Sequence, residues 1–194
     1  MNHTPINLVI AINRLYVKYA YVMLYSFLCH HPEPVSVYIL HHELTPEDEA
    51  TLQTLSQQFA VRISLVYVPD FLLPPPEVLK TSSWGIEAYF RLAITDLLPS
   101  SVDRALYLDT DIIVNAPVYD LYELDFGSKL IAACKEFTCH PPFGNYRDVL
   151  FAPLFEHGFS YFNSGMILYN LAALRPDYSF QTYMDTAREL HYAI

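Results

Sequence analysis

Two acids, Asp109 and Asp111, lie in the run Ala105-Leu106-Tyr107-Leu108-Asp109-Thr110-Asp111-Ile112-Ile113-Val114. Short, apolar and rich in aromatic and branched residues, this run reads as a buried strand that delivers carboxylates to its carboxyl end. Residues two apart in extended backbone point the same way, so the two acids converge while Thr110 faces the other side. A carboxylate pair attracts a hard divalent ion such as Mg²⁺ or Mn²⁺, which commonly bridges to substrate phosphates. Acids also cap strand ends and begin turns, but unpaired carboxylates at an otherwise buried sheet edge are costly, so something positive should meet them. Arg91 is the best local candidate, the alternative being an Arg on a solvated helix face.

The elements that must position these groups read as an alternating chain. Ile6-Asn7-Leu8-Val9-Ile10-Ala11 is a first strand whose tip is Ile12-Asn13-Arg14, and Tyr16 to Leu28 is a helix apolar nearly all round. Val35 to Leu40 is a second strand. Thr45-Pro46-Glu47-Asp48-Glu49 starts a helix with a capping hydroxyl, Pro in the first turn and acids behind it, running to about Gln58. Arg62 to Val68 is a third strand, and Gly85 to Leu98 a helix that begins near Ser82 or Ser83 and ends at Pro99. A short helical piece near Leu121, a strand at Leu130–Cys134, a small polar turn combined with a buried strand over Tyr161–Asn170, and a helix from Phe180 to Tyr192 complete the order. Strand alternating with helix predicts an α/β domain with a doubly wound, mainly parallel sheet. Between them, Lys135 to Gly158 is a long irregular segment suited to a lid or acceptor site. Its His140 and His157 are more readily surface residues than ligands.

Composition bounds the partners. The 194 residues are 53% hydrophobic and 16% charged, as in one globular domain. A net charge of −10 argues against nucleic acid, so a phosphate ligand needs a local cation. Cys29, Cys134 and Cys139 form no CxxC pair and suggest reduced thiols in the cytoplasm. No apolar run reaches the roughly 18 residues of a membrane span.

The string Arg104-Ala105-Leu106-Tyr107-Leu108-Asp109-Thr110-Asp111, with Tyr161-Phe162-Asn163-Ser164-Gly165 about fifty residues on, resembles glycosyltransferase family 8, which includes bacterial lipopolysaccharide galactosyl- and glucosyltransferases and glycogenin. Ala88-Tyr89-Phe90-Arg91-Leu92 resembles that family's Tyr-x-Arg-Leu helix, and Ala11 to Tyr16 falls at its nucleotide-binding strand tip. The resemblance implies a GT-A-type, Rossmann-like nucleotide-sugar-binding domain over residues 1–194. It also implies retaining transfer of galactose or glucose from a UDP-hexose to a saccharide or lipid-linked saccharide acceptor, in lipopolysaccharide or surface glycan synthesis.

Carried over, Asp109 and Asp111 would ligate Mn²⁺ or Mg²⁺, with Ala11, Ile12, Asn13, Tyr16, Arg91 and Thr110 around the UDP-sugar. Glu136, Asn163 and Ser164 would line the sugar side as the catalytic group. The expected place is the cytoplasm, with peripheral association at the inner membrane face. The sequence departs from the family in having Asn13 where an Asp often contacts uracil. It also lacks the family's C-terminal His-x-x-Gly-x-x-Lys-Pro-Trp segment and the Asp-Gln-Asp stretch, so metal and donor are expected to bind weakly. Two rivals remain: a sugar-nucleotide or glycan-binding module of this fold without catalysis, and a haloacid-dehalogenase-like phosphatase, whose Asp-x-Asp usually follows the first strand.

Overall fold

The stretch Ile6–Ala11, apolar except for Asn7, is the signature of a strand covered on both faces, and it lies in the middle of the sheet. The computed structural model describes residues 3–76, 85–135 and 162–189. Its strands are β1 (Ile6–Ala11), β2 (Val35–His41), β3 (Val61–Tyr67), β4 (Arg104–Leu108), β5 (Ile131–Lys135) and β6 (Phe162–Asn170), in spatial order β3-β2-β1-β4-β6-β5. β3, β2, β1 and β4 run parallel, while β6 is antiparallel to both β4 and β5. The mainly parallel α/β sheet expected from the alternating pattern is therefore present.

Alternation along β1 divides the core. Leu8 and Ile10 face one layer, where Met23, Leu24 and Phe27 of α1 (Val17–Leu28) and Leu52 of α2 (Pro46–Gln53) are fully buried. Val9 faces the other, with Phe90, Ala93, Tyr107 and Phe180. Each such side chain contributes roughly 1.5–3 kcal/mol on burial. The second layer is built by a 3₁₀ helix at Ile86–Ala93, then α3 (Ile94–Leu97), and later α5 (Leu171–Leu174) and α6 (Phe180–Glu189). The first is closed by α4 (Tyr119–Tyr122).

Several expected boundaries change. The Gly85–Leu98 helix is mostly 3₁₀, with one α turn at its end, and its expected start at Ser82 or Ser83 lies outside the described residues. α2 tightens into a 3₁₀ helix at Thr54–Gln57. α1 is not apolar because it is covered all round: Tyr19 and Val22 on its outer face are more than half exposed. The largest change concerns β4, which ends at Leu108; Thr110 and Asp111 form a turn and Ile113 is exposed. Its two neighbours explain the early stop, since pairing with β6 runs only to Leu108↔Met166 and with β1 only to Val9↔Tyr107. Beyond that point the branched residues lose their ladder partners, and Val114 instead donates its N–H to Ser26 Oγ at 3.0 Å.

Two buried histidines make the fold sensitive to acid. His31 donates from Nδ1 to the Phe27 carbonyl at 2.6 Å and accepts at Nε2 from the Val118 N–H at 2.9 Å, tying the end of α1 to the approach to α4. That pair of bonds requires the neutral ring. Burial lowers the pKa of His31 and of His41 below the ordinary value of 6.5. Between the lowered folded values and 6.5 the unfolded chain binds more protons, so this stability is complete above about pH 6.5 and declines as pH falls through that window. Melting temperature is expected to drop between pH 7.5 and 5.5, and to drop less in His31→Gln, as thermal denaturation followed by circular dichroism would record.

Candidate functional site

β1 and β4 are adjacent, yet the chain leaves β1 toward β2 and β3 and returns to β4 on the opposite side. This is a topological switch point, where open α/β sheets bind ligands outside the carboxyl ends of their strands. Continuing the register Leu8↔Leu106 and Val9↔Tyr107 brings Ala11 level with Asp109. The tip of strand one and the first acid therefore share one crevice.

Asp109 is held from three sides. Its N–H donates to the Gly165 carbonyl at 2.8 Å, extending the β4–β6 ladder by one step. Its Oδ1 accepts from Arg91 Nη2 at 2.9 Å and from the Tyr107 hydroxyl at 2.8 Å. Arg91 comes from the 3₁₀ helix on the same face of the sheet. Its Nη1 donates to the Ser164 carbonyl at 2.5 Å, its Nε to the Ala88 carbonyl at 2.8 Å, and its guanidinium lies 4.5 Å from the Tyr107 ring centre. The Arg91 side chain is 13% exposed and that of Asp109 34%, an ion pair at the lip of the crevice rather than in open solvent. The cation expected to meet the acids is thus Arg91, and the solvated-face alternative is set aside.

The remaining oxygen, Oδ2, faces Gly165. A Cβ at that position would lie 2.8 Å from Oδ2 and 3.1 Å from Asn163 Oδ1. A larger residue would push those side-chain oxygens aside, and Asn163 Oδ1 accepts the Gly165 N–H at 2.9 Å. Asn163 and Ser164, expected on the sugar side, therefore sit beside Asp109 through Gly165 and Arg91. Thr110 is buried and Asp111 exposed, but both lie in a turn, so the extended backbone on which the expected convergence of the two acids rested ends before Asp111.

At the tip of strand one, the Ile12 N–H donates to the Leu40 carbonyl at 3.0 Å and its side chain is buried. Asn13 Oδ1 caps the 3₁₀ turn Arg14–Tyr16 by accepting the Leu15 N–H at 2.9 Å, which commits the oxygen and leaves the amide nitrogen to offer a ligand. Arg14 Nε donates to Asp48 Oδ2 at 3.1 Å, and the same carboxylate closes the Thr45 capping box of α2. The tip is thereby anchored to α2. Tyr16 is exposed, with its ring tilted against Tyr19. Glu136, His140, His157 and most of the long segment lie outside the described residues.

The donor chemistry suits a hard divalent ion: carboxylates at Asp109, which is partly exposed, and Asp111, which is exposed. Among the described residues no group of three or more His, Cys, Asp or Glu side chains gathers as a metal site. Two contributors escaped the sequence reading. Tyr107 was taken as an apolar strand residue, yet its place two before Asp109, on the same face, is the signal of a hydroxyl within reach of the carboxylate. Gly165 was read only as part of a small polar turn, and its closeness to Oδ2 depends on the β4–β6 register.

The sheet order and the acid pair at the switch point define a fold of the GT-A type. The galactosyltransferase LgtC, solved in complex with donor and acceptor sugar analogues, shares it with a TM-score of 0.80 at 20% identity, over 97% of this chain and 66% of that one. A family model, Glycosyl transferase family 8, matches residues 7–192, and the chain belongs to that family. A putative glycosyltransferase of Haemophilus influenzae is 24% identical over 177 residues, covering 90% of this chain and 51% of its own. A probable galacturonosyltransferase-like protein 7 of Arabidopsis thaliana is 30% identical over 190 residues, covering 90% and 50%. The chain thus spans about half the length of these relatives. Family membership removes the phosphatase alternative. Among the described residues no helix is long and apolar enough to cross a membrane.

Proposed function

We propose that this chain binds a UDP-hexose through a divalent cation and transfers its sugar, galactose or glucose, to a saccharide acceptor with retention at the anomeric carbon. The observation that carries this reading is Asp109, held at the β1/β4 switch point with one oxygen engaged by Arg91 and Tyr107 and the other beside Gly165 on a partly exposed side chain. Asp109 and Asp111 hold Mn²⁺ or Mg²⁺ against the diphosphate, Asn13 meets the base at the strand tip while the expected contact from Ile12 is ruled out by its burial, and Thr110 lies against the ribose. Arg91 carries positive charge to the donor's phosphate or sugar. Asn163 and Ser164, with Glu136, line the sugar side. When bound, the cation offsets charge on the departing UDP as the glycosidic bond breaks, a Lewis-acid role that needs no proton donor.

Lipopolysaccharide or another surface glycan is the acceptor class that this reading favours. It places the protein in the cytoplasm, against the inner face of the membrane. The second reading is a sugar-nucleotide or glycan-binding module of the same fold without turnover. Release of UDP from UDP-galactose and UDP-glucose separates them. With Mn²⁺ the enzyme reading expects slow UDP release that EDTA stops; UDP binding without any release would favour the binding module.

A further inference from the structure

We propose that Tyr107 is a positioning residue that sets which oxygen of Asp109 is presented to a divalent cation. The inference rests on the donor-site reading above and adds to it a residue that touches neither donor nor metal.

Tyr107 is 1% exposed, so no bulk water reaches it, and burial among apolar groups keeps its phenol protonated far into the alkaline range. A buried hydroxyl needs a partner, and this one donates to Asp109 Oδ1 at 2.8 Å. The same oxygen accepts from Arg91 Nη2 at 2.9 Å. Rotation of a carboxylate about its terminal bond is broad and twofold, so an unsupported Asp at a strand end exchanges its oxygens freely. Two donors on Oδ1 stop that exchange. The lone pairs left to a cation are then those of Oδ2, which lies beside Gly165 on a carboxylate that is 34% exposed.

Tyr107 acts a second time through its ring, which lies under the Arg91 guanidinium at 4.5 Å and keeps the second donor in place. Backbone geometry makes this possible. Positions 107 and 109 fall on one face of the sheet, the face that the 3₁₀ helix carrying Arg91 covers. The order of events follows: the strand places the ring, the ring steadies the guanidinium, and hydroxyl and guanidinium together orient the carboxylate before any cation arrives.

Tyr107→Phe deletes the hydroxyl and keeps the ring, its burial and its contact with Arg91. The readout is Mn²⁺ affinity in the presence of saturating UDP, followed by loss of the free-ion electron paramagnetic resonance signal. Tyr169→Phe is the control, because that hydroxyl is also buried but donates to the Arg91 carbonyl, at 3.4 Å, and not to Asp109. Tyr107→Phe is expected to weaken Mn²⁺ binding about tenfold, as loss of outer-shell support commonly does, with a melting temperature within about 5 °C of wild type. Tyr169→Phe is expected to leave Mn²⁺ affinity unchanged.

Equal affinity in wild type and Tyr107→Phe would overturn the proposal. Equal weakening in both variants would also overturn it, by showing a general disturbance of the core. Wild-type protein that takes up no Mn²⁺ with UDP would instead overturn the donor-site reading, and this inference with it.

Discussion

Arg91→Ala is expected to cost about 2 kcal/mol of stability and to weaken metal-dependent UDP binding about tenfold. The guanidinium joins three parts of the chain: the 3₁₀ helix through the Ala88 carbonyl, β6 through the Ser164 carbonyl, and the end of β4 through Asp109. Removing it leaves two carbonyls short of a donor and Asp109 with Tyr107 alone on its side chain. Breaking a fully buried pair costs roughly 3–5 kcal/mol, and the partial exposure of Asp109 lowers that here. Arg91→Lys keeps the charge but cannot reach the Ser164 carbonyl and Asp109 with one planar fork, so it should lie between alanine and wild type. Chemical denaturation and UDP titration of the three proteins measure both effects. Stability and UDP affinity unchanged in Arg91→Ala would show that the guanidinium is an ornament of the crevice.

The larger effect is expected at the acids. In Asp109→Asn the two donors, Arg91 and Tyr107, still claim an oxygen. The amide nitrogen then takes the place of Oδ2 and turns N–H groups toward the cation position, where no lone pair remains. Metal-dependent UDP binding should fall by more than about 100-fold, beyond what loss of an outer-shell partner brings. Asp111 is exposed, so Asp111→Asn should leave stability within about 0.5 kcal/mol while lowering UDP affinity in the same direction. Asp109→Asn should lower stability as well, because it converts an ion pair into a neutral contact. The two acids thus separate by their effect on the fold, measured by denaturation, even where both abolish binding.

The alternation of apolar segments made the sheet legible, because a strand buried on both faces is mainly apolar, as β1 and β2 are apart from Asn7, Ser36 and His41. The capping box at Thr45 fixed the start of α2 for an equally local reason: the hydroxyl, the proline and the acids act within one turn. The end of β4 was not legible. Ile112 and Ile113 have strand-forming side chains, yet their extension depends on partners that β1 and β6 no longer supply, and pairing is not written in the segment itself. The 3₁₀ character of Ile86–Ala93 escaped for a similar reason, since periodicity near three and near 3.6 differs little over eight residues. At the site, residue types pointed to Asp109, Asp111 and Arg91. Tyr107 is signalled only by its i, i+2 spacing from Asp109, and Gly165 became visible only when the antiparallel register placed β6 against β4.

The central claim is that Asp109 and Asp111 hold a nucleoside diphosphate through a divalent cation. Calorimetric titration of UDP into the chain, with Mn²⁺ and with EDTA, in wild type and in the Asp109→Asn/Asp111→Asn double variant, tests it most directly. Heat of binding that requires Mn²⁺ and disappears in the folded double variant is the predicted result. UDP binding that persists without Mn²⁺, or survives in the double variant, would contradict the assignment of the acid pair.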